Sequence, residues 1–562
     1  MNNSLNRILL VIPTVILAFS LVAEDAWRPN APISGEYDKA LAVKCHNGTF
    51  VGKEVNGCIQ WLGVPFAIPP VGDLRWSAPK LALEGDGVFE AYDFGPMAIQ
   101  SPAPSNNRIP ESEDCLTLNI FKRCDAPTDK KLPVMVWVHG GGFNSGAPSE
   151  DLFDGTRFLY DQPEILFVSV TYRMGPLGFL DLSQVQGAEE YPYAANLGLL
   201  DQACALQWVK KNIGAFGGDP ENVTVFGESA GAVCVSFLPL VQEAKGTFQK
   251  VIIESGSVAI SNSLAFSQDI TRQFMKAAGV EDFDGMRKLT VNEIHQAYLQ
   301  TTHMTLPTRD GIVVPAEPME AYRQGKAENV TMMLGTNAEE DNIQLFFAPT
   351  PEKTASIILL DWSSFVAANE ITLEDWKNVR EFLAPSFRPE LKSWQKLLQI
   401  RTELFFRLPA LQQALAHTAS GATVYTYFWN QPPKGTPPII GAFHGCELYY
   451  IFNAPAVFRP LPALLAETPG MTPCEHNPAL QTEARKMWFA FAKSGNPSAE
   501  THPWTPYDPE KRMTMVFGPD IKLLSDPRGE QRKFLEPLTK YTWETTNSYG
   551  GIIDFWLNTH KD

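Results

Sequence analysis

Short, nearly unbroken apolar runs recur along the chain. Residues 133–138 (PVMVWV) and 165–170 (ILFVSV) lack the polar alternation of a half-exposed strand. That pattern belongs to strands covered on both faces, as in parallel sheets with helices on each side. Residues 116–121, 223–226, 251–253, 330–334 and 423–429 are further runs rich in β-branched, aromatic and other apolar residues. Between them lie stretches with helical spacing, of which residues 194–213, ending before Gly214, are the clearest. Strands alternating with helices predict an α/β fold with a large, mostly parallel central sheet flanked by helices. Residues 40–67 alternate strand-like runs with glycines and predict a small antiparallel N-terminal sheet.

Arg7 precedes an uncharged apolar run over residues 8–23, broken by Pro13 and closed by Glu24 and Asp25. A basic start and a short apolar stretch have the form of a secretory signal peptide, here residues 1–23, with cleavage between Ala18 and Ala26. The rest, residues 24–562, shows no repeat, low-complexity tract or linker and reads as one domain. No later run reaches transmembrane length. The expectation is a secreted protein, periplasmic if the source is bacterial, without stable membrane insertion. The net charge of −17 argues against nucleic acid and anionic membranes as partners. Eight cysteines, at 45, 58, 115, 124, 204, 234, 446 and 474, suit an oxidising compartment; their connectivity does not follow from sequence, and Cys45 and Cys58 flank a hairpin signal across which they are one candidate pair. Glycosylation sequons begin at Asn47, Asn222 and Asn329.

The chemistry centres on Gly227-Glu228-Ser229-Ala230-Gly231. It follows an apolar strand and opens a run of small apolar residues, so strand, sharp turn and helix form a nucleophile elbow around Ser229. His139-Gly140-Gly141-Gly142-Phe143 follows a second buried strand. Backbone without side chains can curl there and aim N–H groups inward, which makes Gly141, Gly142 and Ala230 the candidate oxyanion donors. A serine hydroxyl needs a histidine base and an acid to orient it. His444, bracketed by Gly441 and Gly445 in a loop after the 423–429 strand, is the best-placed histidine; His417 lies in a helix-like run and His560 in the tail. The loop after residue 334 offers three acids, Glu339, Glu340 and Asp341. No H-E-x-x-H or P-loop pattern occurs, and Cys474-Glu475-His476 has no second pair, so no metal or cofactor is expected.

These motifs together resemble the type-B carboxylesterase and cholinesterase family of α/β-hydrolases. The resemblance runs nearly end to end. It is carried by FAIPPVGDLRW at 66–76, SEDCLTLN at 112–119, HGGGF at 139–143, NLGLLDQ at 196–202, FGESAG at 226–231 and GAFHGCE at 441–447. It implies a Ser229–Glu340–His444 triad, the same three oxyanion donors, supporting places for Glu228 and Ser255, and ion pairs of Arg75 with Glu113 and Arg173 with Asp201. The implied substrate is a small-molecule carboxylic ester; the alternatives are a lipase acting on long-chain esters and a catalytically silent adhesion protein. The chain departs from the family pattern in three places. Asp341 follows the acid where glycine is usual. Glu403 opens the ELFFRLP run at 403–409 where aspartate is usual. Ala98 stands where the family has the cysteine that pairs with the one at 115. In the cholinesterase branch an aromatic platform for choline sits in the loop ahead of SEDC. Here residues 98–111 hold no aromatic residue and carry Arg108, which favours neutral esters.

Overall fold

In the computed structural model, residues 30–100, 109–301, 303–347, 393–436, 440–455 and 477–536 are described. The signal-peptide segment, Arg108, Cys474 and His560 lie outside them.

An eleven-stranded sheet forms the spine. Its strands are β1 (Lys53–Val55), β2 (Cys58–Pro65), β3 (Thr117–Arg123), β4 (Leu132–Val138), β5 (Leu166–Val170), β6 (Gly218–Glu228), β7 (Lys250–Glu254), β8 (Thr331–Asn337), β9 (Val424–Trp429), β10 (Met513–Phe517) and β11 (Ile521–Ser525). Their spatial order is β11-β10-β9-β8-β7-β6-β4-β5-β3-β2-β1. Neighbours from β5 through β10 pair in parallel, and the strands at both margins are antiparallel.

The side-chain alternation shows why the central strands read as continuous apolar runs. Val134, Val136 and Val138 enter one hydrophobic core, while Met135 and Trp137 enter the other. Val251 and Ile253 likewise oppose Ile252. A strand with period-two geometry needs apolar residues at every position when both faces are covered. Helices α1 (Leu197–Asn212), α2 (Ala230–Phe237), α3 (Leu408–Ala419) and α4 (Pro478–Ser494) contribute to those two layers.

The N-terminal sheet differs from its expected form. Ala42–Cys45 pairs antiparallel with Gly48–Val51, but Val88–Glu90 adds in parallel. Residues 53–65 leave it and become β1 and β2 of the main sheet. The same split overturns the Cys45–Cys58 disulfide: Cys45 packs in one core and Cys58 in the other. Among the described residues every cysteine is unpaired. Asn47 is tied to Pro65 O and Trp208 Nε1, and Asn222 donates to Lys493 O, whereas Asn329 is exposed. No described helix is long and apolar enough to cross a membrane.

Candidate active site

Ser229 joins β6 to α2 with φ 56° and ψ −123°. This is backbone that a residue with a side chain adopts only under constraint. The constraint comes from the end of β4. A Cβ on Gly227 would lie 2.7 Å from Val138 O, and one on Gly231 would collide with the same oxygen. Only glycines fit on either side of the serine. Ser229 N–H donates to Glu254 O (2.9 Å), and Ser229 O accepts from Val233 N–H (2.9 Å), so the turn is fixed at both ends.

The glycine loop lies against this elbow. A Cβ on Gly140 would sit 3.1 Å from Ser229 Cβ. Gly141 and Gly142 have φ of 110° and 60°. The N–H groups of Asn144 and Ser145 both donate to Gly141 O (3.1 and 3.0 Å), closing the curl. The N–H groups of Gly141, Gly142 and Ala230 have no acceptor among the described residues. His139 is a prop for this loop. Its Nδ1 lies 2.9 Å from Gly140 O, its ring stacks on Tyr172 (4.6 Å), and burial lowers its pKa to about 4, so it is neutral.

The acid turn follows β8, and the histidine loop follows β9. Parallel pairing of these strands brings the two loops to the same edge of the sheet, where sites form in open α/β folds. Four contacts hold the loops together. Asn337 Nδ2 donates to Phe443 O (2.9 Å), Ala442 N–H to Glu339 Oε2 (2.7 Å), Glu339 N–H to Ala442 O (3.0 Å) and Asn342 Nδ2 to Ile440 O (2.9 Å). Of the three acids the sequence left open, Glu340 reaches the histidine: its Oε2 lies 2.6 Å from His444 Nδ1. Its Oε1 accepts from Ser255 Oγ (2.5 Å) and Asn337 N–H (2.6 Å). Glu339 is spent on the histidine-loop backbone, and Asp341 Oδ2 faces Arg401 Nε at 2.7 Å.

A serine elbow, unpaired N–H groups beside it and a buried carboxylate on a histidine are the parts of an esterase. The carboxylesterase family model matches residues 39–535. The chain belongs to the carboxylesterase family. It is 36% identical over 514 residues to the para-nitrobenzyl esterase of Bacillus subtilis, covering 87% of this chain and 97% of that one. It is 31% identical over 543 residues to liver carboxylesterase 1 of Oryctolagus cuniculus, covering 87% and 90%. The solved carboxylesterase of Geobacillus stearothermophilus superposes with a TM-score of 0.75 at 32% identity, covering 88% of this chain and 99% of that one. The protein is thus a carboxylic-ester hydrolase with this family's α/β architecture.

Within this carboxylesterase, His444 is surrounded by more carboxylates than the motifs suggest. Glu228 Oε1 lies 3.1 Å from His444 Nε2. Burial raises the Glu228 carboxyl to about 7, against the pull of His444. Glu254 is fully buried, accepts from Trp488 Nε1 (2.6 Å) and is raised to about 8 by burial. Glu447, also fully buried, accepts from Asn337 Nδ2 and is raised well above the usual range by burial and by its acidic neighbours. Burial alone would lower the His444 pKa, but Glu228 and then Glu340 override it and hold it above the ordinary imidazole value. Glu254 escaped the sequence reading, and Glu447 entered it only as the last residue of the 441–447 motif, with no role assigned. Each sits next to a motif residue, Glu254 before Ser255 and Glu447 after the histidine, but nothing in the spacing brings them together.

The approach to the site is tied down as the resemblance implied. Arg75 Nη2 lies 2.6 Å from Glu113 Oε1, and Arg173 Nη2 lies 2.7 Å from Asp201 Oδ1. Ala98 and Cys115 are both buried, and the Cys115 thiol is free. Gln100 holds this segment instead: its Oε1 accepts from Gly146 N–H (3.0 Å) and its Nε2 donates to Gly146 O (3.2 Å). Glu403 pairs with Arg407 (3.0 Å) and Arg528 (2.7 Å).

Proposed function

We propose that this carboxylesterase is a secreted enzyme that cleaves neutral esters through a Ser229–His444–Glu340 triad and an acyl-enzyme intermediate. The observation that carries the triad is the 2.6 Å contact of His444 Nδ1 with Glu340 Oε2, on the loops that flank the Ser229 elbow. Glu340 spends its other oxygen on Ser255 and Asn337, so its orientation, and with it the imidazole's, is set before substrate arrives.

The Ser229 oxygen attacks the ester carbonyl carbon while His444 Nε2 takes the hydroxyl proton. The carbonyl π electrons move onto oxygen, and the N–H groups of Gly141, Gly142 and Ala230 receive the resulting oxyanion. Loss of one such donor typically lowers the rate about 10²–10³-fold. The tetrahedral intermediate collapses, the C–O bond to the alcohol breaks, and the alkoxide leaves with the proton held on Nε2. Water then gives a proton to His444 and attacks the acyl carbon, and a second collapse releases the acid and restores Ser229.

The neutral-ester reading is supported by residues 98–111, which hold no aromatic platform for a cation. It also agrees with the Bacillus subtilis relative, which is named for an uncharged benzyl ester. Secretion rests on the N-terminal segment, because the cysteines among the described residues are unpaired and lend no support through a disulfide framework.

The test is covalent labelling with a fluorophosphonate followed by peptide mass spectrometry. The label is expected on Ser229 and absent from Ser229→Ala. Glu340→Gln and His444→Ala are expected to cost orders of magnitude in kcat on p-nitrophenyl butyrate. Label on another serine, or near-normal turnover by Glu340→Gln, refutes the assignment. A panel of p-nitrophenyl esters of graded acyl length separates short-chain esterase from lipase behaviour.

A further inference from the structure

The turn that carries Glu340 is gripped from a second side, away from the histidine loop. Helix Ser393–Arg401 ends in an arginine whose Nε lies 2.7 Å from Asp341 Oδ2. The two side chains are only 5% and 3% exposed. The next residue, Thr402, accepts the Asp341 N–H at its Oγ1 (3.1 Å) and passes its own hydroxyl proton to Leu398 O (3.0 Å). Thr402–Arg407 is a π-helical turn. Such turns are rare and are frequently found at functional sites. Here the turn aims Phe406 at the base: the ring centroid lies 5.1 Å from that of His444. Phe405, beside it, packs under the Arg401 guanidinium at 5.2 Å. One short element therefore touches the residue after the acid through both backbone and side chain, and the ring of the histidine as well.

Resting on the reading of Glu340 as the orienting acid, we propose that Asp341 and Arg401 are a positioning pair for ester hydrolysis. Their ion pair fastens the acid turn to the π-helical turn, so that Glu340 and His444 keep their contact while charge develops on the imidazole. A buried ion pair adds little net stability compared with apolar residues of the same volume, because both ions lose their hydration. What it supplies is a close tie between the two elements, while the direction comes from the Asp341 N–H bond to Thr402 Oγ1. Reaction rates are sensitive to that, since a misplacement of about 1 Å at a reacting group costs on the order of a hundredfold. Neither residue touches the reacting atoms, and both act through Glu340 and His444.

The decisive variant is Asp341→Gly/Arg401→Met in the full-length enzyme, which removes both charges of the pair together. Its melting temperature is expected to stay close to that of the unchanged enzyme. Its kcat on p-nitrophenyl butyrate is expected to fall about tenfold, with KM within about twofold. Asp341→Asn alone is expected to lose melting temperature as well, because it takes a neutralising charge away from the buried Arg401 guanidinium. In a Glu340→Gln background the double change is expected to cost less than about twofold more, since residues acting through one group are not additive. A kcat within twofold of the unchanged enzyme overturns the proposal and leaves the pair as packing only. A full tenfold loss that persists beside Glu340→Gln overturns it too, by placing the action elsewhere. Unimpaired turnover by Glu340→Gln alone is a different result: it removes the acid assignment itself.

Discussion

Replacing Glu228 by glutamine keeps the shape of the side chain and removes its charge. The atom concerned lies 3.1 Å from His444 Nε2, the nitrogen that in the proposed mechanism accepts the serine proton. Two unit charges at that distance attract by about 5 kcal/mol at the effective dielectric of about 20 that suits buried protein sites. At about 1.4 kcal/mol per pH unit, that corresponds to a ceiling of roughly four units on the histidine. The working value is smaller. Burial raises the Glu228 carboxyl, so its charge is not fully present near neutral pH. Glu340 continues to hold the other ring nitrogen in either case. A shift of roughly one to two units is therefore expected.

Its sign follows from the chemistry. An anion beside the imidazole favours the imidazolium, so its removal lowers the His444 pKa. The free base is the active form. The acid limb of the kcat/KM profile, which reports the free enzyme's base, therefore moves to lower pH in Glu228→Gln. The measurement is kcat/KM on a neutral butyrate ester by pH-stat over roughly pH 5 to 10 for both enzymes. An acid limb that stays within about 0.3 units, or moves upward, refutes the claim that Glu228 governs this proton.

Two further predictions rest on other parts of the structure. Glu254 holds a proton in the folded state that the unfolded chain gives up near its ordinary carboxylate value of 4.5; this contribution is complete below that value and is lost as pH rises through about 8. Melting temperature measured against pH is expected to fall less steeply over that window in Glu254→Gln than in the unchanged enzyme, and parallel curves would count against a buried, protonated Glu254. For substrate charge, kcat/KM on butyrylcholine is expected to be lower than on its uncharged carbon analogue, and a tenfold preference for the choline ester would mean that an aromatic cage comes from outside residues 98–111.

The sheet was legible because its physics is local. Val134 to Val138 is apolar at every position since each successive side chain meets a different core, and that leaves its mark in the letters themselves. Ser229 and the glycines around it were legible for the same reason: Gly227 and Gly231 are there because Val138 O excludes a Cβ at both positions. Which acid meets His444 was not decidable from spacing. Three consecutive acids share one turn, and Glu340 differs from its neighbours only in the partner across space. Backbone of the histidine loop claims Glu339, and Arg401, sixty residues onward, claims Asp341. The Cys45–Cys58 pairing failed for a related reason. Closeness in sequence across a hairpin signal carries no information about which face of the sheet each residue takes, and these two take opposite cores.

The positions where the chain departs from its family's pattern are met by contacts that the sequence does not announce. Asp341 brings an additional carboxylate next to the acid, and unpaired it would add repulsion beside Glu340 in a site already rich in buried carboxylates; Arg401 neutralises it and turns it into an anchor. Ala98 removes one end of a disulfide, and Gln100, two residues on, makes a two-bond amide clamp to Gly146. The substitute is weaker than a covalent bond, but it acts at a more useful place. Gly146 closes the loop that opens with His139, and a Cβ there would lie 2.8 Å from His139 Nδ1, so the clamp holds the segment directly against the oxyanion loop. The thiol left behind carries no chemistry of its own: Cys115 is 1% exposed, and burial raises its pKa well above the ordinary thiol value, which keeps it protonated and inert. Loss of the bridge thus exchanges a covalent tie near the approach to the site for a polar tie on the glycine loop that opens with His139. The two forms of tie differ in what breaks them: reductant opens the first, and only displacement of the Gln100 amide opens the second.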